Sequence, residues 1–60
     1  MDFTREELEQ ALRAIVSAMS KCEKVQEKLK EGTPQHSLTR NRIEAFRIAS
    51  ALITRAIEEV

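Results

Sequence analysis

Sixty residues make one small domain at most, and ten acidic side chains against ten basic ones leave a net charge of zero. That balance argues against a generic polyanion binder and against a disordered acidic tail. One glycine, one proline and only two aromatics, Phe3 and Phe46, leave too few turn residues for an all-β fold.

The opening residues Met1-Asp2-Phe3-Thr4 carry neither a basic segment nor an apolar one, so no signal peptide is expected. Apolar runs such as Ala51-Leu52-Ile53 are far shorter than a membrane span. Cys22 is the only cysteine and has no partner for an internal disulfide. These features together favour a reducing, cytoplasmic setting.

The first predicted helix has a marked start. Thr4 and Glu7 have the spacing of a capping box, and Phe3 and Leu8 that of a hydrophobic staple. Asp2, Glu6 and Glu7 place negative charge at the positive end of the helix dipole. Gly32 suits a left-handed stop, Pro34 follows, and Lys28 and Lys30 lie in the predicted last turn. Helix 1 is therefore expected over about residues 4–31.

The start of the second helix is less sharply marked. Thr33-Pro34 is one option and Ser37 another; Ser37 is preferred because it leaves a connection able to span two adjacent helices. The expectation is a loop over about 32–37 and helix 2 over about 38–59, all within one domain of residues 1–60.

Helix 1 carries a heptad seam: Leu8, Leu12, Ile15, Met19, Cys22, Gln26 and Leu29 recur at steps of four and three. Phe46, Ala49, Ile53, Ala56 and Val60 repeat those steps in helix 2. Folding the chain back about residue 34 sets Leu8 against Val60, Leu12 against Ala56 and Ile15 against Ile53. The next layers are Met19 with Ala49, Cys22 with Phe46, and Leu29 with Leu38. The predicted fold is an all-α, antiparallel two-helix hairpin.

One neighbour does not cover the apolar surface. On helix 1 the apolar arc runs from Val25 and Ala18 through Leu8 to Val16, about 180° wide. Helix 2 matches it from Leu52 and Ala45 through Phe46 to Ile57 and Ile43. Two hairpins are therefore expected to associate as a homodimeric four-helix bundle. Leu8, Leu12, Ile15, Val16, Ala18, Met19 and Val25 are the candidate interface on helix 1. Ile43, Phe46, Leu52, Ile53 and Ile57 are their counterparts on helix 2. A tetramer, or a different protein filling the same groove, remains an alternative.

The seam breaks at Gln26 and Arg42, which the same fold-back sets opposite each other. A polar layer of this kind sets register and partner choice. Charge is also segregated. Asp2, Glu6, Glu7, Glu9, Glu58 and Glu59 gather at the end with both termini, whereas Lys21, Lys24, Lys28, Lys30, Arg40 and Arg42 gather toward the loop. Lys30, His36 and Arg40 at the tip are a candidate anion site, the basis of a second reading as a weak nucleic-acid or anion binder.

Other chemistries lack their residues. One His and one Cys do not make a zinc site, and Thr33 stands where a Glu-x-x-His motif would need Glu. His36 and Ser37 are chain neighbours with no acid to orient the imidazole. Glu6-Glu7 and Glu58-Glu59 diverge on a helix rather than converge. No glycine-rich phosphate loop occurs, and Arg40, Arg42 and Arg47 have no stacking aromatic among them. The expectation is therefore a non-enzymatic structural or protein-interaction module without metal or cofactor.

Overall fold

The computed structural model describes residues 2–60 and is all-α. Helix α1 spans Arg5–Lys28 and α2 spans Pro34–Glu59. They pack against each other as an antiparallel hairpin. The molecule is a rod of 42 × 14 × 14 Å made of the two helices side by side.

The capping box is formed. The Thr4 hydroxyl accepts from the Glu7 amide at 3.1 Å, and the Glu7 carboxylate accepts from the Thr4 amide at 2.9 Å. Phe3 and Leu8 line one depression, the arrangement a staple produces.

The connection differs from the expected one. Helix α1 ends at Lys28, and Leu29 is already extended. Gly32 has φ +85°, but inside a turn rather than at the helix terminus. Thr33 closes that turn, its amide and hydroxyl both donating to the Lys30 carbonyl at 3.3 and 2.7 Å. The same hydroxyl accepts from the His36 amide, making Thr33 the N-cap of α2 with Pro34 in the first turn. Thr33-Pro34 thus starts the helix, not Ser37. One side chain serves both turn and cap, and proline's fixed φ suits the first helical position.

A shorter connection changes the register. Leu29–Thr33 is centred on residue 31, three residues before the expected fold-back point. Each residue of displacement slides the pairing by two, so the helices shift by about six residues, roughly 9 Å. Leu8 accordingly lies beside Ile53, while Val60, its expected partner, is 56 % exposed. Leu38, expected opposite Leu29, is 52 % exposed.

The buried line of α2 is consequently His36, Thr39, Ile43, Phe46, Ser50, Ile53 and Ile57, flanked by Ala49 and Ala56. This row holds four large apolar side chains. The row through Leu38, Arg42, Ala45, Ala49, Leu52 and Ala56 holds two. The hairpin buries the heavier row because burial is roughly proportional to apolar area. Of its polar members, Ser50 is served locally, its hydroxyl donating to the Arg47 carbonyl at 2.9 Å.

Candidate functional site

Burial inside the single hairpin is thin. Leu8 and Ala56 are 6 % exposed and Thr39 is 9 % exposed. Leu12, Ile15, Met19, Cys22 and Gln26 on α1 and Leu29 just beyond it are only half-buried, as are Ile43, Phe46, Ile53 and Ile57 on α2. The expected interface residues fall into two groups. These and half-buried Ala18 lie on or beside the buried line, whereas Val16, Val25 and Leu52 are exposed.

Three of the exposed large apolar residues, Val25, Leu38 and Leu52, lie toward one face. At 100° per residue, Ala11, Ala14, Ala18 and Val25 form a row displaced to one side of α1's buried line. Leu38, Ala45 and Leu52 form a row displaced in the same rotational sense on α2, and Ile48 lies beyond it at the outer edge, pointing away from α1. A twofold normal to the hairpin plane exchanges antiparallel helices and keeps each face on its own side. The two rows therefore share one face of the rod.

The relief of this face is graded. Its middle is alanine, at Ala14, Ala18, Ala45 and Ala49. Toward the loop stand Val25 and Leu38, 50 % and 52 % exposed. Toward the termini lies an open depression of about 320 Å³, lined by Phe3, Glu7, Leu8, Ala11 and Ile53. Ile48 and Leu38 were not among the expected interface residues. The signal was present in the seven-residue spacing of Leu38, Ala45 and Leu52, with Ile48 between the last two.

The opposite face is charged. Glu9, Glu23 and Glu27 of α1 lie on it with Arg40 and Arg47 of α2, and Val16 is its main apolar member. Nearby, Arg5 pairs with Glu9 at 3.8 Å, and the Arg47 guanidinium grips Glu44 through both carboxylate oxygens. That hydrogen bond lowers the Glu44 pKa and raises that of Arg47.

The proposed polar layer is not formed within the hairpin. Gln26 is half-buried, but Arg42 is exposed, and no hydrogen bond joins them among the described residues. The register shift sets His36 and Thr39 level with Gln26, leaving Arg42 at the edge of the apolar face. At the tip, Lys30 and Arg40 are exposed and His36 is half-buried. The His36 amide is already bonded to Thr33, which reduces what the α2 N-terminus can offer an anion.

No protein-family model, curated protein or solved structure matches the chain. Among the described residues, no group of three or more His, Cys, Asp or Glu side chains is placed to hold a metal ion. No described helix is long and apolar enough to cross a membrane. The feature left to interpret is the apolar face itself.

Proposed function

We propose that this chain is a structural and protein-interaction module that self-associates through its apolar face into a four-helix bundle. One observation carries the reading. A folded monomer of 6.9 kDa exposes about 4,000 Å². This hairpin exposes 4855 Å². The difference, roughly 850 Å², is close to the ~800 Å² that each partner loses in an interface of standard size.

The location of the surplus supports the same reading. Val25, Leu38 and Leu52 are each half exposed or more, and all lie toward one face. Contiguous apolar surface of this kind marks an interaction site. The opposite, charged face supplies solubility.

Sedimentation equilibrium over a wide concentration range tests the proposal. A mass of twice 6.9 kDa is the expected result. A single folded species of 6.9 kDa at every concentration would refute self-association.

A further inference from the structure

We infer that the second copy seats antiparallel on this face, its loop end over the other copy's terminal end, about a twofold through the middle of the rod. The inference rests on the self-association reading and adds the identity and orientation of the contacts. Two independent observations select this orientation over one with both loops at the same end.

The first is relief. The depression and the Val25–Leu38 pair lie on opposite sides of the helix midpoints. Leu8, Ala11 and Ile53 are displaced toward the termini by about 10 Å, and Val25 and Leu38 toward the loop by about 13 Å, at 1.5 Å per residue. A twofold through the midpoint carries one onto the other within about one helical turn. Each copy's protruding pair then fills its partner's hollow, twice over. At the twofold itself each helix crosses its own copy, and there the face is alanine, which permits close approach.

The second is charge. Residues 2–16 with 47–60 carry six acids and four bases, whereas residues 17–46 carry four acids and six bases. The terminal half is thus net −2 and the loop half net +2. Antiparallel seating places unlike halves together; parallel seating stacks like on like. Helix α2 also lacks an acid in its first turn and a base in its last, and Glu58 and Glu59 stand where its dipole favours a base.

The test uses paired cysteines in a Cys22→Ser background, with Ala11→Cys and Val25→Cys combined. Within one chain these positions are about 21 Å apart along α1, beyond disulfide reach. Antiparallel seating brings residue 11 of one copy beside residue 25 of the other. Mild oxidation is then expected to give a species of twice the mass, lost on reduction, while neither single variant cross-links comparably. Circular dichroism confirms that each variant folds, and sedimentation gives its mass before oxidation. A dimer that cross-links only in the double variant supports the arrangement. A dimer without that cross-link, or one in which Val25→Cys alone links efficiently, overturns the orientation and leaves self-association standing. A folded monomer overturns both and leaves the face for a different protein.

Discussion

Leu52→Ala separates association from folding. Leu52 is 60 % exposed in the hairpin, so its packing contributes little to the single chain. Fully burying a leucine stabilises by roughly 1.5–3 kcal/mol, and about 60 % of that remains to be gained on assembly. Allowing for the methyl that alanine keeps, the loss is about 0.6–1.2 kcal/mol per copy. Two copies meet in a dimer, so the dimer is weakened by about 1.2–2.4 kcal/mol, a rise in dissociation constant of roughly 7- to 50-fold. Sedimentation equilibrium reads the constant directly. Thermal melts followed by circular dichroism give a second readout, because a coupled dimer has a concentration-dependent Tm. Leu8→Ala is the contrast: at 6 % exposure it strikes the hairpin itself, and about 2–5 kcal/mol is expected to be lost from folding. An unchanged dissociation constant and Tm in Leu52→Ala would show that the face is not the contact.

Other consequences follow from the connection and the charge pairs. Gly32→Ala places a side chain at φ +85° with nothing within 4 Å of the new Cβ; the expected cost of about 1–2 kcal/mol is backbone conformation alone, and Gly32→Asn should recover part of it in a denaturant titration. Thr33→Ala removes a hydroxyl that donates to Lys30 and accepts from His36. It should cost about 1 kcal/mol or more, at least as much as Thr4→Ala, and equal stability of wild type and variant would deny the cap its role. Arg47 holds the Glu44 pKa below its ordinary value by hydrogen bonding, so the pair's small contribution is present above the unfolded glutamate pKa and fades as pH falls through it toward the folded one. An NMR titration should show Glu44 ionising at lower pH in the wild type than in Arg47→Gln, and identical titration in the two would refute the pairing.

Sequence alone determined the helices, the start of α1 and the fact that the apolar surface exceeds what one hairpin hides. Each follows from short-range chemistry: Thr4 and Glu7 are three residues apart, and a 3.5-residue repeat remains on one side of a helix whatever it meets. Tertiary structure decided the register, and with it which apolar residues stay exposed. Residues at Thr33 and Ser37 are both competent caps; only the turn closed through Gly32 and Thr33 selects the earlier one. The slide changes partners along the seam, and α2 also turns so that the row through Ile43, Phe46, Ile53 and Ile57 faces α1 in place of the row that holds Leu38 and Arg42. A heptad count carried over from α1 does not register that turn. That is why Leu8, Phe46 and Ile53 were placed inward correctly, whereas Arg42 was set in the core and Leu38 was paired away from the exposed face it shares with Leu52.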